Sequence, residues 1–157
     1  MKKKYAGFCL SKISSPKNWT WQELDWAIKK NIICKQDVIN YAIKILNNGL
    51  KNFDLVLQLS IAEHYENIDS ILEELMQFDE KKPEKCIEDK WRYAILLYLY
   101  IHKDIIKNVY EDIEIVYADF DYPPDMNGFI RYMPLENDKG IEENWKQYLS
   151  EKKKKYH

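Results

Sequence analysis

Trp91-Arg92-Tyr93-Ala94-Ile95-Leu96-Leu97-Tyr98-Leu99-Tyr100-Ile101 is apolar on nearly every side and carries a single charge, Arg92. A helix with no polar face is one that other helices surround. The run falls well short of the roughly 20 apolar residues that span a bilayer, so it predicts a buried central helix over 91–103. What surrounds it decides the fold.

On the N-terminal side, Asn18-Trp19-Thr20-Trp21-Gln22-Glu23 contains a capping box. The Thr20 hydroxyl can accept from the Glu23 backbone N–H while the Glu23 carboxylate reaches back. Trp21, Leu24, Ala27 and Ile28 follow at helical spacing, ending near Lys30 and Asn31. A second helix is predicted from Lys35 to Asn47 on Val38, Tyr41, Ala42 and Ile45, with Gly49 as a left-handed stop, and the two would form a hairpin. Phe53 to Ile61 suits a short helix or a buried strand, and helical neighbours favour the helix. Ile68, Ile71, Leu72 and Leu75 mark the next, which Pro83 and its surroundings break.

On the C-terminal side, Ile106, Val109, Tyr110, Ile113, Val116, Tyr117 and Phe120 form a stripe that predicts a helix from Ile105 to Phe120. Glu111, Asp112 and Asp119 fall off that stripe. Pro123-Pro124 ends the helix and can begin a short one, with Asp121 or Tyr122 at its start and Pro134 at its end. Ile141, Trp145, Tyr148 and Leu149 give a last amphipathic helix, followed by a charged tail that need not be ordered.

The expectation is therefore all-α: a compact domain of about six to eight helices, in antiparallel hairpins around the 91–103 helix. A basic segment over 1–17 precedes the domain at 18–151, and the tail is 152–157. The chain is 46% apolar and 14% aromatic, enough for a core. With only 4 Gly and 5 Pro, it lacks the closely spaced turns of a sandwich or barrel.

A net charge of −2 conceals segregation. Lys2, Lys3, Lys4, Lys12 and Lys17 occupy an N-terminal stretch without acids, while Glu63, Glu66, Asp69, Glu73, Glu74, Asp79 and Glu80 occupy one without Lys or Arg. The span from Asp104 to Asp125 is acidic against Lys107 alone. An acidic globular part argues against nucleic acid, which demands a basic stripe. Cys9, Cys34 and Cys86 form no C-x-x-C pair and no even set, so neither disulfides nor zinc are expected and the cytoplasm is the natural compartment. The basic N-terminus imitates a signal sequence, but Lys12 interrupts the apolar run and no small-x-small cleavage site closes it.

Trp19-Thr20-Trp21, Val116-Tyr117-Ala118-Asp119-Phe120-Asp121-Tyr122-Pro123, Phe129-Ile130-Arg131-Tyr132-Met133-Pro134 and Asn144-Trp145-x-x-Tyr148-Leu149 carry a resemblance. Together they resemble the bacterial proteins catalogued as domain of unknown function 2247, over about Asn18 to Glu151. That family continues the Tyr-Pro segment with acids, whereas Pro124 and Asp125 follow here, so the short helix is expected to start one residue differently. The resemblance implies no established activity. By analogy of size and kind, it points to small immunity proteins that block a cognate toxin.

Candidate chemistry is sparse. His64, His102 and His157 are too separated for a ligand set, and His102 suits capping of carbonyls at the end of the central helix. No glycine-rich loop or nucleophile motif occurs, so neither metal nor cofactor nor enzymatic activity is expected. Asp119 and Asp121, between Tyr117 and Tyr122, could serve as acid and base or hold a cation. Their ordinary role would be for one to cap the short helix and the other to pair with Arg131.

Acidic blocks are ordinarily solvated helix faces. Carboxylates interleaved with Tyr also steer and anchor a basic partner. The resulting expectation is a non-enzymatic intracellular binding protein, an immunity-type inhibitor of a basic toxin, contacting it through Glu111, Asp112, Asp119, Asp121, Tyr122 and Arg131. The alternative is a cytosolic helical adaptor or scaffold without a toxin partner. Neither nucleic acid nor membrane is an expected partner.

Overall fold

The structure, a computed structural model, describes residues 3–5, 7–63 and 66–156. Among them all regular structure is helical, as expected. After a 3-10 turn at Leu10–Lys12 come α1 (Trp21–Lys29), α2 (Lys35–Ile45), α3 (Phe53–Ser60), α4 (Asp69–Met76), α5 (Glu84–Ile101) and α6 (Val109–Asp119). A second 3-10 helix, Pro124–Phe129, leads to α7 (Ile141–Tyr156). The chain divides into two compact units, Met1–Pro83 and Glu84–His157.

In the first unit the capping box forms: Glu23 N–H donates to Thr20 Oγ1 at 3.1 Å, and Thr20 N–H to Glu23 Oε1 at 2.8 Å. Tyr41 of α2 secures the start of α1, accepting from Trp19 N–H at 2.9 Å and donating to the Trp19 carbonyl at 3.2 Å. The apolar stripe of α1 packs chiefly on α4, whereas α2 packs on α3 and on the Leu10–Lys12 turn. The packing partner of α1 is thus an element distant in sequence, since apolar stripes pair by shape and not by order. The basic N-terminal segment is tied in as well, with Lys3 Nζ 2.8 Å from Asp37 and Phe8 and Leu10 buried.

Gly49 is not the left-handed stop. α2 ends at Ile45 and continues through an extended Leu46, and the left-handed backbone falls instead at Asn31 and Asn52, with φ of 60° and 62°. Asparagine is the residue besides glycine that visits this region most readily.

In the second unit α5 packs on α6 and α7, and α7 packs on the second 3-10 helix. α5 is buried as expected through Trp91, Tyr93, Ala94, Ile95, Leu96 and Leu99, but it begins at Glu84, directly after Pro83. Its charged first turns escape apolar periodicity although Ile87 and Lys90 are buried. At its end His102 Nδ1 lies 2.8 Å from the Tyr98 carbonyl, the expected capping role. α6 starts at Val109, later than Ile105, because turns occupy 102–108. Trp145 of α7 is fully buried, edge-on to Tyr100 and stacked on Phe129. The charged tail is helical through Tyr156.

Candidate partner-binding edge

The apolar stripe of α6 buries Ile113, Val116 and Tyr117, which turns Glu111 and Asp119 to the exposed side. Asp112 differs from expectation. It is half-buried, and burial followed by the neighbouring Glu111 carboxylate pushes its carboxyl above the ordinary range. Its position one residue before Ile113 places it on the flank of the stripe, so it belongs to the packed side as much as to the surface.

Asp121 and Tyr122 do not begin the short helix. They form a left-handed exit from α6, with φ of 61° and 55°, in which Asp121 N–H donates to the Ala118 carbonyl at 3.1 Å and Tyr122 N–H to the Tyr117 carbonyl at 2.8 Å. The next helix takes Pro123 at its cap position, without a side-chain hydrogen bond. Two consecutive left-handed non-glycine residues cost backbone energy that the surrounding contacts must offset.

Tyr117 is the support. Its hydroxyl donates to Asn127 Oδ1 at 2.7 Å, and its ring meets Tyr122 edge-on at 5.2 Å and Tyr132 at 6.2 Å. Tyr122 and Tyr132 themselves are 56% and 62% exposed. Tyr132 was not a site candidate from sequence, since it sits past a helix end where periodicity carries no information.

Arg131 pairs with neither Asp119 nor Asp121. Its Nε and Nη2 each lie 2.9 Å from one oxygen of Glu114, a bidentate pair that draws the Glu114 carboxyl below its ordinary range. The six expected residues therefore separate. Asp119, Asp121 and Tyr122 present an exposed edge at the exit of α6, Glu111 is exposed in the first turn of the same helix, Asp112 is partly withdrawn, and Arg131 is occupied by Glu114.

The segment that builds this edge, Tyr117 to Pro123, lies within a longer match. The profile of a family described as an uncharacterised protein conserved in bacteria, domain of unknown function 2247, covers residues 11–153. The chain belongs to this family. No curated protein and no solved structure matches it.

The second unit of this member of the 2247 family also holds a charge network that sequence patterning does not reveal. Asp89 accepts from Lys152 Nζ at 2.6 Å, from Arg92 Nη2 at 3.2 Å, and from the Tyr156 hydroxyl. Arg92 also grips Asp125, with Nη1 at 2.5 Å and Nη2 at 3.1 Å. Arg92, the lone charge of the apolar run, is buried, and burial opposes its charge while Asp125, with Asp89, more than restores it. Among the described residues no group of three or more His, Cys, Asp or Glu is placed to hold a metal ion. His64 and His157 lie outside the described residues. No helix of the described residues is long and apolar enough to cross a membrane.

Proposed function

We propose that this chain works by binding and not by catalysis, as an immunity-type inhibitor that neutralises a basic toxin in the cell that makes it. The contact surface is the acidic, tyrosine-bearing edge at the end of α6. The observation that carries this reading is the exposed pair Tyr122 and Tyr132, braced on buried Tyr117, with Asp121 held beside them in a left-handed backbone.

Each part has a physical task. Asp119 and Asp121 give a local negative field at this edge, and Glu111 in the first turn of α6 extends it along the helix, which speeds encounter with a cationic surface. The two tyrosines give amphipathic contact area at low entropic cost, because their rings are already oriented by Tyr117. A nuclease-type toxin carries cations where it holds phosphate, so exposed carboxylates on this edge would compete for that surface.

The test is protection. Cells expressing a toxic product of a neighbouring gene should survive when they also carry this chain, and lose that protection when Tyr122 and Asp121 are replaced by Ala and Lys. A toxic neighbour that this chain fails to relieve, or a gene neighbourhood without one, would leave the adaptor as the better reading.

A further inference from the structure

α6 carries apolar residues on two sides. Ile113, Val116 and Tyr117 face the core, and on the opposite side, at three- and four-residue spacing, stand Glu111, Ile115 and Ala118, all exposed. Ile115 is 49% exposed, and Tyr122 just beyond the helix is 56% exposed. The outer side of a surface helix is ordinarily polar, so Ile115 and Ala118 form an apolar strip left to solvent where charged residues would be the rule.

The charges around that strip decide what fits it. Glu114 lies on one side of it and Asp119 on the other, Glu111 stands in line with it one turn earlier, and Asp121 follows at the exit. Between Val109 and Asp121 there is no Lys or Arg, and Arg131 reaches the helix from outside to pair with Glu114. The last turn adds to the negative field, because the dipole leaves partial negative charge on its carbonyls and the acids Asp119 and Asp121 stand there in place of the cations that a helix end favours. A second copy of this chain would set acid against acid along the strip. A partner with cations on both flanks of an apolar ridge meets complementary charge instead.

We propose that the basic partner docks here through an amphipathic α-helix laid along α6, with its apolar ridge on Ile115 and Ala118 and its lysines or arginines beside Glu111, Asp119 and Asp121. The small side chain of Ala118 leaves a hollow next to Ile115 in which a large apolar side chain of the incoming helix can seat as a knob, and packing close to parallel lets the contact run over more than one turn. Length agrees: Glu111 and Asp119 are eight positions apart in one helix, about 12 Å at 1.5 Å per residue, a span that an element lying along α6 covers. The inference rests on the reading of this edge as the site of a basic partner and adds the form in which that partner arrives.

The experiment is an NMR titration of the isotope-labelled full chain with an acetylated peptide of about 18 leucines and lysines whose leucines recur at helical spacing, set against a peptide of the same composition in which the two residues alternate at strand spacing. The expected result is saturable shifts centred on Ile115, Ala118 and Asp119 with the helical peptide and markedly weaker binding of the alternating one. Ile115→Glu is the deciding variant. It adds an acid to an acidic face, so charge alone would tighten the cationic peptide, whereas loss of the apolar seat should weaken it about fivefold. The fold should hold, since the position is exposed, and Ile115→Leu should retain the affinity. Equal binding of the two peptides, shifts centred on the acids from Glu63 to Glu80, or an Ile115→Glu variant that binds as well as wild type would overturn the helix assignment, as would dimerisation of the chain alone that Ile115→Glu abolishes. Any of the peptide outcomes would leave protection by the Tyr122 edge standing, with a loop of the toxin as its contact. Failed protection beside a saturable peptide site would remove the immunity reading and keep the helix site.

Discussion

Lys152 in the last helix donates to Asp89 in α5 at 2.6 Å, across 63 positions of sequence. The same carboxylate takes Arg92, Lys155 and the Tyr156 hydroxyl, so one half-buried acid gathers α7 onto α5. The helical state of the charged tail follows from this, because cations clustered at a helix C-terminus are favoured by the dipole and here also find a carboxylate.

Replacing Asp89 by Asn should lower stability by about 2 kcal/mol at neutral pH, since Arg92 and Lys152 then keep only Asp125. Burial alone would raise the Asp89 carboxyl, but the hydrogen bonds of Lys152 and Tyr156 and the charges of Lys152 and Lys155 outweigh it and hold the carboxyl below 3.8. A depressed folded value means stability that is full above 3.8 and lost as pH falls through the lower folded value. Urea midpoints should therefore separate wild type from Asp89→Asn near neutrality and converge in acid. A gap that widens in acid would contradict the network.

Leu96 is fully buried in α5, and Leu96→Ala should cost about 2 to 5 kcal/mol by urea unfolding. A loss well below that would mean the central helix is less tightly enclosed than its burial indicates.

At Gly128 an added Cβ would lie 3.2 Å from Asn144 Cβ and 3.3 Å from its Cγ, while Asn144 Nδ2 already donates to the Gly128 carbonyl at 2.8 Å. The neighbour is therefore pinned and cannot yield cheaply. Gly128→Ala should cost about 1 kcal/mol, through overpacking and a stretched hydrogen bond. An unchanged thermal midpoint would show that α7 moves aside freely.

These features differ in how far sequence makes them legible. The Thr20–Glu23 capping box and the Pro83 break are local patterns that appear where the residues place them, and the α6 stripe holds from Val109 on, its first turn at Ile105 and Ile106 being replaced by turns. The start of α5 is hidden because 84–90 is mostly charged, with Ile87 as its one buried apolar residue, so apolar periodicity gives no stripe there although Lys90 is buried too. The Arg131–Glu114 pair and the Asp89 network depend on elements meeting in space, which spacing within one helix does not encode. For the edge, the residue types were readable but not their roles: Asp121 and Tyr122 form a left-handed exit, and Asp112 is partly withdrawn.

The strained exit gives a further prediction. Asp121→Gly should raise stability by about 0.5 kcal/mol, because relief of the left-handed backbone slightly exceeds the added freedom of the unfolded chain. It should also weaken partner binding by removing a carboxylate from the edge. A variant that binds better as well as folding better would separate Asp121 from function.

The central claim is that the edge around Tyr122 meets a basic protein, and site-specific photo-crosslinking tests it most directly. A photoreactive phenylalanine derivative at position 122 of the full chain, irradiated in living cells, should yield one dominant crosslinked protein with a basic surface, identified by mass spectrometry. The crosslink should fall sharply when Glu111 and Asp121 are both replaced by Lys, and fall less in wild type at low salt than at high salt when repeated with the purified pair, because exposed charges steer encounter and ions screen them. A dominant crosslink to an acidic protein, or a yield unchanged by the double reversal, would contradict the account.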